Sequence, residues 1–218
     1  MSKGLLNLNL PLPYVPVFNG AGVVEQVGLA VMAFKSGDAV ATTFIPNWLS
    51  GSPISQATDY ATRQGLGAVP GQLSDYKVLK INQLIKTPVN LSAIEASTLP
   101  IAGLTAWNAL QYSNLQAGET VLLHGTGGVS IFALQFAKAL GARVIITSSS
   151  DDKLKRALSL GADLLINYKS KPDWEETVHL FTEGEGADVI LETVGGKNRR
   201  AIAQCLAYGR SHLHHGTP

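Results

Sequence analysis

The sequence has a single cysteine, Cys205, so no disulfide can form within the chain, and a reducing compartment fits. Charge is sparse: Asp, Glu, Lys and Arg make up 15% of the 218 residues, against roughly 25% in average soluble domains, and the formal net charge is +1. So even a balance offers no basic face to nucleic acid or to an anionic membrane. The densest basic run, Lys153-Leu154-Lys155-Arg156, reads first as a solvated helix face. No apolar run approaches the roughly 20 residues that span a bilayer. Pro11, Pro13 and Pro16 follow the first leucines and no A-x-A cleavage signal is seen, so the expectation is a cytoplasmic protein. No internal repeat or low-complexity tract occurs. Apolar residues reach 45%, enough for a core, and the length suggests one large domain or two small ones.

Two textures divide the chain near residue 90. Residues 1–90 carry Gly, Pro and short β-branched runs. Val23-Val24-Glu25-Gln26-Val27 and Ala39-Val40-Ala41-Thr42-Thr43 read as strands, separated by the turn Lys35-Ser36-Gly37-Asp38. Residues 91–218 open with Ser92 three residues before Glu95, the capping-box spacing of a helix start. A helix over Leu104–Ser113 follows, and then strands and helices alternate. Strands are expected at Thr120–His124, Arg143–Thr147, Leu164–Ile166 and Asp188–Glu192. Helices are expected at Val129–Leu140, stopped by Gly141, at Asp151–Leu160 and at Trp174–Thr182. Alternation with Val, Ile and Leu runs implies a parallel sheet covered on both faces, with right-handed crossovers. The fold class is therefore α/β.

Gly125-Thr126-Gly127-Gly128-Val129-Ser130 lies between the first of these strands and its helix. Gly125 permits a tight turn off the strand. Gly127, lacking a Cβ, permits close approach of a pyrophosphate, and the helix aims its free N–H groups at the phosphates. Ser130 stands where the third glycine of the dinucleotide fingerprint is usual, and serine is small enough to fit. A methyltransferase uses a similar loop and is the main competing reading. An NAD site needs an acid at the end of the second strand to bond the ribose 2′-hydroxyl. This chain has Ser148-Ser149-Ser150 there, with Lys153 and Arg156 just beyond. The pattern favours NADP(H) over NAD(H), and the missing acid also weighs against a methyltransferase. Asp151 and Asp152 run against this, unless they serve only the helix N-terminus.

Pro100-Ile101-Ala102-Gly103-Leu104-Thr105-Ala106-Trp107, the Gly125 loop, and Leu160-Gly161-Ala162-Asp163 with Ile166-Asn167-Tyr168 resemble the medium-chain dehydrogenase/reductase superfamily. The nearest branch is quinone-oxidoreductase-like and alcohol-dehydrogenase-like. Gly20-Ala21-Gly22-Val23-Val24-Glu25-Gln26-Val27-Gly28 and Phe34–Val40 resemble that family's GroES-like domain, and the resemblance runs from about Leu10 to Leu206. It implies a partial GroES-like β domain followed by an incomplete Rossmann doubly wound sheet. It also implies hydride transfer from a nicotinamide cofactor to a quinone, enone or carbonyl substrate. By position, Gly125, Thr126, Gly127, Gly128 and Val129 would hold the pyrophosphate. Ser148, Ser149, Lys153 and Tyr168 would surround the 2′-phosphate. Thr105 and the Val194-Gly195 turn would lie by the nicotinamide. Plain helix packing explains Thr105 and Trp107 as well, and Tyr168 could be a surface aromatic.

The resemblance implies no zinc. Zinc-dependent relatives carry Gly-His-Glu immediately before the Gly-Ala-Gly, and this chain has Val17-Phe18-Asn19. One cysteine cannot form a four-cysteine structural site. The tail histidines His212, His214 and His215 read as an adventitious cluster. Compared with the family, the chain is expected to be short at both ends, and Ser211–Pro218 shows no strand pattern. From this we expect weak turnover and doubtful family-type dimerisation, with a non-catalytic nucleotide-binding remnant as the alternative.

Overall fold

The computed structural model describes Pro13 and residues 15–46, 63–65, 69–193, 199–207 and 212–215. The chain divides into two compact units, Met1–Ile101 and Ala102–Pro218.

In the first unit, β1 (Ala21–Val23), β2 (Ala39–Thr42) and β3 (Leu84–Lys86) form an antiparallel sheet in the order β1-β2-β3, with Gly22 opposite Val40 and Val40 opposite Lys86. The β1–β2 connection closes at Gly37, which adopts φ +89°. The Lys35 N–H donates to Asp38 Oδ2 at 3.1 Å, and this bond holds the Asp38 carboxyl below its ordinary value. The expected strand over Val23–Val27 is shorter than the sequence suggests. Val24 still bonds Asp38 O across the turn, but Glu25, Gln26 and Val27 are exposed, and β2 does not extend opposite them. β3 was not foreseen, because its three residues are too few for a period to show.

The expected capping box is present. Helix α1 (Ala93–Ala96) starts at Ser92, whose Oγ accepts from the Glu95 N–H while the Ser92 N–H donates to Glu95 Oε2 at 2.9 Å. The chain then passes through a five-residue π-helical stretch, Leu99–Gly103.

The second unit is built on a parallel sheet in the order β6-β5-β4-β7-β8. Its strands are β4 (Thr120–His124), β5 (Arg143–Ser148), β6 (Leu164–Asn167), β7 (Val189–Glu192) and β8 (His212–His215). The helices are α2 (Leu104–Tyr112), α3 (Gly128–Ala139), α4 (Asp151–Ser159), α5 (Trp174–Phe181) and α6 (Arg199–Gln204). Every residue of β4 is buried, as a central parallel strand requires.

The period of two sorts the core into layers. Val121, Leu123, Val144, Ile146 and Leu191 pack with Ala133, Leu134 and Ala137 of α3 and Leu154 of α4. Leu122, Ile145, Ile166 and Ile190 pack with Trp174 and Val178 of α5 and Ile202 of α6 on the other face. Each fully buried Leu or Ile contributes about 1.5–3 kcal/mol. Gly141 (φ +83°) and Gly161 (φ +96°) end α3 and α4, in a conformation that side chains resist.

One expectation fails. Ser211–Pro218 was expected to carry no strand, yet His212–His215 pairs in parallel with β7, Val189 opposite His212 and Glu192 opposite His215. The polar-apolar-polar-polar run gives no β signal of its own. A place beside β7 asks only for backbone donors and acceptors, so tertiary context overrides the sequence pattern.

Candidate functional site

The site is assembled at the C-terminal ends of β4, β5 and β7. Gly125 leaves β4 at φ +92°, and its N–H donates to Thr147 Oγ1 at 3.2 Å, which pins the turn to the end of β5. Gly127 is the N-cap of α3, extended at φ −78° and ψ 176°. A Cβ placed on Gly127 would meet no atom within 4 Å, so open space lies over that backbone. The first helical bond of α3 runs from Ile131 N to Gly127 O at 3.0 Å. The N–H groups of Gly128, Val129 and Ser130 therefore precede the helical ladder and stand at its positive end. A Cβ on Gly128 would lie 3.5 Å from Ala102 Cβ, so the entry to α2, three residues before Thr105, runs beside the loop. Thr105 itself is half-buried on α2. Trp107, two residues on, packs edge-on against Phe136 at 5.6 Å, which favours the packing reading for that residue.

Thr126, Ser148 and Tyr168 come together. Thr126 Oγ1 and Ser148 Oγ lie 2.9 Å apart, and the Tyr168 N–H donates to Ser148 O at 3.1 Å. Ser148 is buried, and its hydroxyl also accepts from the Ser150 N–H at 3.3 Å. That hydroxyl shapes the bend after β5, whereas Ser149 is exposed. Lys153 is exposed on the first turn of α4 and has no ion-pair partner among the described residues. The neighbouring acids are engaged, since Asp151 Oδ1 accepts from Asn167 Nδ2 at 2.7 Å and Asp152 pairs with Lys155 at 3.4 Å. Val194 and Gly195 lie outside the described residues.

Beneath the loop is a polar layer that was not anticipated. His124 and Glu192 end two adjacent strands in register and are both buried, with Nδ1 and Oε2 2.7 Å apart. The His124 ring stacks on Trp174 at 6.0 Å and tilts against Tyr168 at 5.8 Å. Ser130, at the position of the usual third glycine, is fully buried with its Oγ 3.2 Å from Thr193 Oγ1. A legible signal existed, because two otherwise apolar strands, Thr120–His124 and Val189–Glu192, each finish on an ionisable residue.

Two further groups are structural. Lys77, in the first unit, donates to Pro70 O at 2.8 Å and Gly71 O at 2.7 Å, and burial pulls its amine below the ordinary value. Burial, reinforced by Glu175, pushes the Cys205 thiol up to about 12. No helix among the described residues is long and apolar enough to cross a membrane.

Two family models match: the alcohol dehydrogenase GroES-like domain over residues 1–89 and the zinc-binding dehydrogenase domain over residues 128–214. The chain belongs to the medium-chain dehydrogenase/reductase superfamily. Enzymes of this superfamily use NAD(P) as a dinucleotide cofactor. The chain is 46% identical over 211 residues to a zinc-type alcohol dehydrogenase-like protein of Schizosaccharomyces pombe, covering 95% of this chain and 60% of that one. A solved NAD-dependent alcohol dehydrogenase is 36% identical at TM-score 0.82, covering 95% of this chain and 62% of the other. A quinone oxidoreductase from Pseudomonas syringae pv. Tomato DC3000 is 33% identical at TM-score 0.71, covering 91% and 55%. The chain thus spans about 60% of the length of the relatives it matches best among these. The mixed architecture, a GroES-like unit followed by a Rossmann-type parallel sheet, is that of the superfamily.

Proposed function

We propose that this chain binds NADPH at the Gly125–Ser130 loop and serves an oxidoreductase that transfers hydride to a quinone, an enone or a carbonyl. The observation that carries the reading is open backbone at Gly127 together with a β5 end that carries Ser148 and Ser149 where an NAD site has an acid, followed on the first turn of α4 by Lys153, which has no ion-pair partner among the described residues. The donor set suits a dinucleotide. N–H groups of Gly128 and Val129 at the start of α3 suit the pyrophosphate. Ser149 and Lys153 suit a 2′-phosphate, and Tyr168 is held to the same strand end by its N–H bond to Ser148 O. The Ser148 hydroxyl, already bonded on two sides, shapes this pocket more than it binds. NADPH supplies the hydride, and the chain's contribution is to hold and orient the dinucleotide.

The same reading has no catalytic zinc, although one matching family model and several relatives carry zinc in their names. Its support is the donor chemistry. Phe18, which cannot ligate a metal, packs against Phe44 with centroids 5.8 Å apart, and Asn19 beside it is a poor zinc ligand. Carbonyl polarisation would then rest on hydrogen-bond donors.

The test is steady-state oxidation of NADPH by the protein against a panel of quinones, enones and aldehydes. Turnover with at least one class is the expected result. NADPH binding without turnover on any of them would support the second reading, a nucleotide-binding protein without catalysis. Absence of both would refute the proposal.

A further inference from the structure

The polar layer under the glycine loop is expensive to bury, and neither His124 nor Glu192 belongs to the fingerprint. Both side chains are almost completely withdrawn from solvent, at 0% and 3% exposure. An apolar pair would fill the same space without a desolvation cost. The position of the pair explains what it does. His124 is the last residue of β4, and the next residue is the Gly125 turn. Glu192 is the last residue of β7, directly across from His124 in the ladder.

Two sets of hydrogen bonds meet at His124. His124 Nδ1 and Glu192 Oε2 share one hydrogen across 2.7 Å. The Thr193 hydroxyl donates its one hydrogen to His124 O at 3.0 Å. Ser130 must therefore donate to Thr193 Oγ1, across 3.2 Å. One chain of bonds thus runs from the first turn of α3 through Thr193 to the end of β4. A second runs from the His124 ring to β7. The same ring also stacks on Trp174 and tilts against Tyr168.

We propose that His124, Glu192 and Thr193 form a positioning tie that sets the orientation of the glycine loop and of Tyr168, and so governs nucleotide affinity without touching the nucleotide. The proposal rests on the dinucleotide reading for its ligand, but the tie itself is a property of the unliganded protein. Removing the carboxylate frees the imidazole to turn. The end of β4 that launches the Gly125 turn, and the ring against which Tyr168 packs, are then less firmly held. Ser130 at the third-glycine position is then more than a tolerated substitution, because it supplies the bond that brings α3 into the same tie.

The experiment compares Glu192→Leu, Glu192→Gln and Thr193→Val with the unmodified protein, each first shown to be folded by circular dichroism. Two quantities are measured: NADPH affinity by calorimetry, and backbone hydrogen exchange in the unliganded state. For Glu192→Leu the expected results are about tenfold weaker NADPH binding and about tenfold faster exchange over Gly125–Gly127. Exchange over Val144–Ile146 in the sheet core should not change, which a general loss of structure could not produce. Glu192→Gln keeps a hydrogen-bonding group opposite Nδ1, able to donate or accept, and should bring affinity back to within about threefold. If Glu192→Leu does not fold, Thr193→Val decides, with weaker binding and faster loop exchange expected in the same direction. A folded variant with both quantities within twofold of the unmodified protein overturns the tie while leaving the dinucleotide reading standing. If the unmodified protein binds neither NADPH nor NADH, the dinucleotide reading fails, and loop exchange in the variants still decides the tie.

Discussion

Replacing Gly127 with alanine separates binding from stability more cleanly than any other change in the loop. Gly127 has φ −78° and ψ 176°, a conformation any L-residue adopts, and a Cβ there touches nothing within 4 Å. The folded chain therefore accepts the methyl group without a clash. Alanine is a poorer N-cap than glycine by a few tenths of a kcal/mol or somewhat more. Against this, alanine restricts the unfolded chain, which returns about 0.4–1 kcal/mol. The two effects nearly cancel, so Gly127→Ala should unfold within about 1 kcal/mol of the original. Nucleotide binding should respond very differently. The methyl group occupies the space over the loop backbone that a pyrophosphate needs, and it holds the phosphate off the N–H groups of α3. Losing one charge-assisted hydrogen bond costs about 1.5–3 kcal/mol, which is roughly 10- to 150-fold in Kd. Gly125→Ala is the contrast. At φ +92° the added side chain is strained by about 1–2 kcal/mol, so that variant should lose stability directly. The assay is thermal unfolding paired with calorimetric titration of NADPH. If Gly127→Ala retains both its melting point and its NADPH affinity, phosphate does not sit over this loop and the reasoning is refuted.

Lys153→Ala should weaken NADPH by about 1–3 kcal/mol and leave NADH nearly unchanged, because only the 2′-phosphate engages this amine; equal losses for both cofactors in titrations would count against it. Cys205 is buried with its thiol at about 12 against an ordinary 9.0, so at pH 8 the thiolate fraction is about 10⁻⁴ in the folded state and about 10⁻¹ unfolded. Alkylation by iodoacetamide should therefore be at least about a thousandfold slower in native than in denatured protein, and rapid native labelling read by mass spectrometry would contradict the packing of α6. The same shift fixes the sign of a pH effect. Between pH 9 and 12 the folded state binds more protons at Cys205 than the unfolded state, so its contribution is intact below pH 9 and is lost as pH rises toward 12. Cys205→Ala should flatten that alkaline part of the stability curve in denaturant titrations. Elemental analysis of tag-free protein should find no stoichiometric zinc, and one tightly held ion per chain would overturn the metal-free reading.

The second unit was legible in the sequence because its periods are long and its punctuation is strong. The apolar run Thr120–His124 is a buried strand as expected, and Gly125, Gly141 and Gly161 all take the positive φ that their places require. The first unit was less legible. β1 and β3 are three residues each, too short for an alternation to establish itself, and Val23–Val27 reads as strand while the strand formed is Ala21–Val23 and Val24 bonds only the turn at Gly37 and Asp38. β8 was invisible because a strand beside β7 is specified by backbone groups. At the site, Gly125, Thr126 and Ser148 were found through the fingerprint and do converge. His124, Glu192 and Thr193 were missed because they belong to no motif, and only the register of two parallel strands brings them together. The double engagement of the Ser148 hydroxyl was equally beyond the sequence, since its partners lie 22 residues back and two residues ahead.

The proposed NADPH site consists of the Gly125–Ser130 loop and Lys153. Calorimetric titration of the unmodified chain with NADPH and with NADH, at one pH and one salt concentration, tests it most directly. One nucleotide per chain, with NADPH bound at least about tenfold more tightly than NADH, is the expected result. Equal affinity for the two would contradict the 2′-phosphate assignment, and no binding of either would contradict the site itself.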